Sequence, residues 1–174
     1  MNDIFSLKDK HILIVGASSG IGAHAARLFH ERGAHLHLAA RRTDILDDMA
    51  NKINAQTYYV DVVDVDAIHL MLSKIDKIDV LLNTAGFNIR KPVLSFSPSD
   101  WDDLMKINLK GAWLLSQAVI QKMVLQKTEG SIIHLSSIFG KFTHTNQCLY
   151  AMSKGGIEQM SRSLALECAK YPIR

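Results

Sequence analysis

Cysteine is nearly absent from this 174-residue chain. The two present, Cys148 and Cys168, fall within what reads as one helix. At 1.5 Å per residue they stand about 30 Å apart along it and cannot pair within it. A reduced, cytoplasmic compartment is therefore expected. Long apolar runs are also missing: no stretch approaches the roughly 20 residues a membrane span needs. Met1 to Lys10 carries acids and no apolar h-region, so no secretory leader is read there. Charge of one sign is scarce as well. The net charge is +3 and its lysines and arginines are dispersed, which gives nucleic-acid binding no electrostatic support. Linkers, repeats and low-complexity segments are lacking. His35 and His37 alternate along one strand face, but no third ligand accompanies them, so packing or surface roles are expected and no metal.

What is present is an apolar content of 48%, enough for one core in one domain spanning residues 1–174. Short runs rich in Ile, Val, Leu or Tyr predict strands near 11–16, 34–40, 56–60, 78–83 and 130–135. Between them, helices are predicted near 20–32, 43–53, 65–74, 99–126 and 147–170. Ser99-Asp100-Trp101-Asp102, with Pro98 before it, offers an N-terminal cap for the fourth helix. This alternation predicts an α/β fold, a doubly wound parallel sheet with helices on both faces.

Between the first strand and first helix lies Gly16-Ala17-Ser18-Ser19-Gly20-Ile21-Gly22. A strand, a glycine turn and a helix start present backbone N–H groups to a phosphate. Gly16 takes the tight turn, Gly20 admits a pyrophosphate, and Gly22 allows close helix–strand packing. The G-K-[ST] ending of a nucleoside-triphosphatase loop is missing, which disfavours that class. A purely structural turn is the competing reading. Near the C-terminus, Tyr150 and Lys154 are four residues apart and so share a helix face. A fixed positive charge beside a phenol favours phenolate and makes it a better acid–base. Ser137, upstream, adds a hydroxyl that can hold a carbonyl or alcohol oxygen.

Taken in order, Gly16 to Gly22, Asp61-Val62, Asn83-Thr84-Ala85-Gly86, Asn108, Ser137, Tyr150 and Lys154 make the chain resemble a short-chain dehydrogenase/reductase along its whole length. Two positions depart from that family's pattern. Val15 stands where threonine is usual, whose hydroxyl helps fix the glycine turn, and Thr84 stands where a second asparagine is usual. The resemblance implies a Rossmann-like fold and a dinucleotide cofactor. Tyr150 would be the acid/base, Ser137 would orient the substrate oxygen, Lys154 would assist Tyr150 and bind the nicotinamide ribose, and Asn108 would hold a water in a proton relay. Ser136 is the rival to Ser137, but spacing to Gly140 selects Ser137. Gly16, Ser18, Ser19, Gly20, Ile21 and Gly22 are expected at the phosphates. Asp61 and Val62 are expected at the adenine, and Asn83, Ala85 and Gly86 at the adenosine ribose and in the sheet. In dinucleotide folds an acid at the end of the second strand binds the ribose 2′-OH. This chain has Ala39-Ala40-Arg41-Arg42 there. Two guanidiniums suit a 2′-phosphate, so NADP(H) is expected over NAD(H). Surface charge is the competing reading of Arg41 and Arg42.

Phe87 to Pro92 is similar to the corresponding segment of sugar-acid dehydrogenases and of 3-oxoacyl-carrier-protein reductases. Arg90 or Lys91 could attract an acidic substrate or carrier; two solvated loop charges would serve as well. By resemblance, the helices near 99–126 and 147–170 pair about a two-fold axis into a homodimer. Trp101, Trp113 and the methionines are expected in the core or at that contact, and Cys148 as a small buried residue. The last strands of the usual fold are missing after Arg174, which puts a tetramer in doubt. The fifth strand is then expected to expose an apolar edge, and the nicotinamide pocket to lack a wall, with little or no turnover. A truncated, non-catalytic dinucleotide-binding or partner-binding fragment is the alternative.

Overall fold

The computed structural model describes residues 4–174; Met1–Asp3, part of the stretch read above for a leader, lie outside the described residues. Five strands form one sheet: β1 (His11–Val15), β2 (His35–Ala40), β3 (Gln56–Tyr59), β4 (Val80–Asn83) and β5 (Ser131–His134). Every pairing is parallel, and the order is β3-β2-β1-β4-β5. The order reverses between β1 and β4, which opens a crevice at their carboxyl ends. The helices are α1 (Gly20–Glu31), α2 (Thr43–Ile53), α3 (Val65–Ser73), α4 (Pro98–Met105), α5 (Ala112–Gln126) and α6 (Cys148–Glu167).

Alternation along the strands splits the core into two layers. Ile12, Ile14, Leu36, Leu38 and Leu82 face α1 and α2, meeting Ala23, Ala26, Leu46 and Met49. Leu13, Val15, Ala39 and Leu81 face α3 and α5, meeting Ile68, Leu72, Leu115 and Val119. β1 is buried on both faces, which is why its sequence reads as an unbroken apolar run.

Four expectations need correction. The fourth helix begins at Pro98 and is capped by Ser97, not Ser99. Ser97 Oγ accepts from Asp100 N, and the Asp100 carboxylate accepts from Ser97 N in return. The predicted single helix over 99–126 is interrupted by a π-helical stretch, Lys106–Gly111, between α4 and α5. There a β-carbon on Gly111 would lie 2.6 Å from Val62 Cγ2, so a larger residue would push Val62 aside. The edge of β5 is half covered: Gly130 N donates to Pro172 O at 2.9 Å and Ile132 N to Arg174 O at 2.7 Å. A fifth parallel pairing thus starts at Ile173, which is buried, while Ile133 stays exposed. Cys148 is exposed, and both cysteines are free.

His35 and His37 do share a face, and His11 of the neighbouring strand joins them. Its ring stacks on His35 at 4.8 Å and on His37 at 5.9 Å. Stacked rings do not converge on one point, and among the described residues no group could hold a metal. No described helix is long and apolar enough to cross a membrane.

Candidate active site

A cleft of about 520 Å³ opens at the crevice, lined by Gly16, Ser18 and Ser19 after β1, Arg41 and Arg42 after β2, Asp61 and Val62 after β3, and Thr84 to Phe87 after β4. Gly16 has φ +85° and Gly20 φ +56°, left-handed conformations that suit glycine. Gly22 is needed for another reason: a β-carbon there would stand 2.6 Å from Gly16 O. Ser19 occupies the N-cap of α1 but makes no capping bond. Its hydroxyl and that of Ser18 instead accept from Arg42 Nη2, both at 2.9 Å. With no acid in the first turn, α1 presents its free N–H groups and a guanidinium to the cleft. Arg41 lines the same wall. Ile21 is exposed and does not line the cleft.

Asp61 Oδ1 accepts from Val63 N at 3.2 Å, which fixes the turn after β3. Asn83 is buried, and its side chain is turned into the sheet. Its Oδ1 accepts from Ala85 N and its Nδ2 lies 3.3 Å from His134 Nδ1. His134 also meets Ser116 Oγ at 2.8 Å. Asn83 therefore ties β4 to β5 and leaves the cleft lining to Thr84, Ala85 and Gly86.

The remaining groups gather where β5 ends and α6 begins. Lys154 is 7% exposed, and its Nζ donates to Leu135 O at 2.7 Å. The same Nζ sits 5.6 Å from the Tyr150 ring centroid. Burial lowers the Lys154 pKa, because desolvation disfavours its charged form. Ser137 caps a short 3-10 turn, Ile138–Gly140, by accepting from Phe139 N. Phe139 in turn lays an edge against the Tyr150 ring at 6.4 Å, which brings the serine turn beside the tyrosine. Ser136 points elsewhere, to Glu158 Oε1 at 3.1 Å and Lys154 O at 3.4 Å. Glu158, braced by Arg162 at 3.3 Å, also lies 2.6 Å from where a Gly140 β-carbon would be. So Ser136 and Gly140 fasten the turn to α6 and leave the Ser137 hydroxyl available.

Asn108 lies in the π-helical stretch and is 1% exposed. Its amide grips the Phe87 backbone, donating to Phe87 O at 2.8 Å and accepting from Phe87 N at 2.9 Å, and it donates to Ser153 Oγ at 3.2 Å. The side chain thus joins the β4 loop to α6. A β-carbon on Gly86 would lie 3.1 Å from Asn108 Oδ1 and 3.8 Å from Lys154 Nζ, so these groups close around one point.

Arg90 and Lys91 separate clearly. Lys91 Nζ holds both Asp100 carboxylate oxygens at 2.8 Å. That bond, with those from Ser97, pulls the Asp100 pKa down to about 2. Arg90 has no carboxylate partner among the described residues. With the Gln147 amide turned so that its oxygen faces the guanidinium, Arg90 Nε and Nη2 donate to that oxygen, the latter at 3.0 Å, and the amide nitrogen donates to Asn88 Oδ1 at 3.2 Å. Gln147 is buried and immediately precedes α6. It escaped the sequence reading, as did Glu158: a lone Gln or Glu carries no motif, and only the tertiary fold shows their partners.

The sequence model of the short chain dehydrogenase family matches residues 10–174. This chain is a short-chain dehydrogenase. Among curated proteins, this short-chain dehydrogenase is 30% identical over 181 residues to gluconate 5-dehydrogenase of Gluconobacter oxydans, covering 99% of the chain and 70% of that relative. It is 33% identical to the 3-oxoacyl-[acyl-carrier-protein] reductase FabG of Rickettsia conorii, covering 98% of the chain and 71% of the relative. Among solved structures it matches a gluconate 5-dehydrogenase from Burkholderia cenocepacia in complex with NADP and tartrate. There the TM-score is 0.91 at 29% identity, with 98% of this chain and 70% of that one covered. The family, the Rossmann-like fold and the dehydrogenase/reductase class expected from the sequence are thereby established.

Proposed function

We propose that this short-chain dehydrogenase uses NADP(H) to interconvert a ketone and a secondary alcohol, with Tyr150 as acid/base. The observation that carries this reading is the buried Lys154, fixed by Leu135 O and placed against the Tyr150 ring. Tyr150 would give its proton to a substrate oxygen, or recover it in the reverse direction, with the Lys154 ammonium held beside its ring. Ser137 donates to that oxygen as negative charge develops on it. The nicotinamide, when bound, supplies or accepts the hydride. Asn108 holds the Phe87 loop against α6 and so sets the wall on which the nicotinamide end would rest.

The 2′-phosphate reading rests on Arg42, which stands over Ser18 and Ser19 with no acid at the end of β2. Fluorescence titration with NADPH and NADH tests it directly. NADPH should bind more tightly, and Arg42→Ala should weaken NADPH by about tenfold or more while leaving NADH nearly unchanged. Equal affinities, or an Arg42→Ala variant that still prefers NADPH, would reject it.

Arg90, without a carboxylate partner among the described residues, supports a substrate that carries one, and Lys91 is excluded by its bond to Asp100. A sugar acid fits this charge, as does a 3-oxoacyl group on an acidic carrier. For assembly, an apolar groove lined by Trp101, Met105, Leu109, Trp113 and Met160 runs between α4, α5 and α6. Half-exposed tryptophans there support a homodimer through this face, which Trp113→Glu would convert to monomer in sedimentation analysis. The second reading, dinucleotide binding without turnover, draws support from Leu94, Ile138 and Phe142, apolar and largely exposed around the serine turn and the β4 loop. Binding of NADPH with no turnover of any carbonyl substrate would favour it.

A further inference from the structure

The two departures from the family pattern, Val15 and Thr84, are in contact. Thr84 donates twice to the Val15 carbonyl, from its backbone N at 2.8 Å and from Oγ1 at 2.9 Å. Two bonds to one acceptor hold the threonine in a single rotamer. Its oxygen then stands at the crux of the glycine turn: β-carbons on Gly16 and on Gly22 would each lie 2.6 Å from Thr84 Oγ1. On the opposite side, Gly16 N and Ala17 N donate to Ala39 O at 2.8 and 3.3 Å. The turn is thus gripped from β2 by a backbone carbonyl and from β4 by a side-chain hydroxyl. Val15, buried in the core, has no hydroxyl to offer.

We propose that Thr84 is the positioning residue of the cofactor site, its hydroxyl setting the glycine turn whose amides receive the pyrophosphate. The proposal rests on the dinucleotide reading of the cleft. Removing the hydroxyl does not orphan the Val15 carbonyl, because Thr84 N still donates to it. The fold is therefore expected to survive while the turn loses the hydroxyl packed beside Gly16 and Gly22.

The test compares wild type, Thr84→Ser, Thr84→Val and Thr84→Ala in titrations with NADPH and with adenosine 2′-monophosphate, which has no pyrophosphate. Thr84→Ser should stay within about twofold of wild type for both ligands. Thr84→Val and Thr84→Ala should bind NADPH about three- to tenfold more weakly, the value of one hydrogen bond, with adenosine 2′-monophosphate unchanged. Wild-type affinity for NADPH in both non-hydroxyl variants would overturn the proposal. So would an equal loss of both ligands, which marks general damage. Should Thr84→Val fail to fold, Thr84→Ala carries the comparison alone. A wild type that binds neither ligand would refute the dinucleotide reading itself, and the proposal with it.

Discussion

At Gly22, a β-carbon would lie 2.6 Å from Gly16 O and 3.0 Å from Gly16 C, both backbone atoms that cannot rotate away. Gly20 is the opposite case: its φ is +56°, yet a β-carbon would meet nothing within 4 Å. Two glycines of one motif therefore serve different physical needs, one of space and one of conformation. Gly22→Ala should cost about 2–3 kcal/mol through overpacking, lowering the melting temperature by about 5–10 °C. Gly20→Ala should cost only about 1–2 kcal/mol for its left-handed conformation. Thermal melts of the pair check this, and an equal or reversed order would contradict it. The sequence identified both glycines because the motif spacing encodes strand, turn and helix locally, but it read Gly20 as room for a pyrophosphate and not as a left-handed position. It could not show that Ser18 and Ser19 are held by Arg42, since that contact joins residues more than twenty positions apart.

Elements are where local signals and tertiary contacts compete. The five strands and the first three helices lie within one or two residues of their predicted places, since their boundaries follow apolar period and capping chemistry. The π-helical stretch at Lys106–Gly111 was invisible, because one widened turn leaves the apolar pattern on either side intact. Asn108 sits within it, reaching across to Phe87 and Ser153. Asn108→Ala would remove three hydrogen bonds from a buried position and leave the Phe87 backbone without those partners. A loss of about 2–4 kcal/mol is expected in denaturant unfolding, larger than for a typical polar surface change. A loss below about 0.5 kcal/mol would show that water replaces the amide without penalty.

Across the whole molecule, a buried histidine, His37, and a half-buried one, His134, make stability depend on pH. Burial depresses the pKa of His37 from 6.5 to about 4, the His11 and His35 imidazoles add to that fall, and Gln56 and the charge of Asp76 oppose it. Burial and the nearby Lys154 do the same for His134, which also bonds Asn83 and Ser116. Below pH 6.5 the unfolded chain takes up protons that the folded chain refuses, so the unfolded state is favoured. Stability is thus fully present above about pH 6.5 and falls as pH drops toward 4, by up to about 3 kcal/mol for each histidine. Urea midpoints measured across this window should fall with acid, and His37→Gln should flatten the slope. A profile that is level from pH 7 to 4.5 would contradict the assignment.

Residue types and their order along the chain were enough to determine the alternating α/β plan and the glycine turn, and to single out Ser137, Tyr150 and Lys154 as the proposed catalytic set, because each depends on local spacing or on a family pattern of consecutive motifs. Tertiary structure alone decided which neighbours those residues have. It turned Ser136 toward Glu158, tied Lys91 to Asp100 while leaving Arg90 on Gln147, brought His11 onto the His35–His37 face, and set Thr84 against Val15. Each of these contacts depends on which strands are neighbours in the sheet or on how loops fold over α6. Period and composition do not encode strand order or loop path, so the physics of these contacts appears only when the chain is folded.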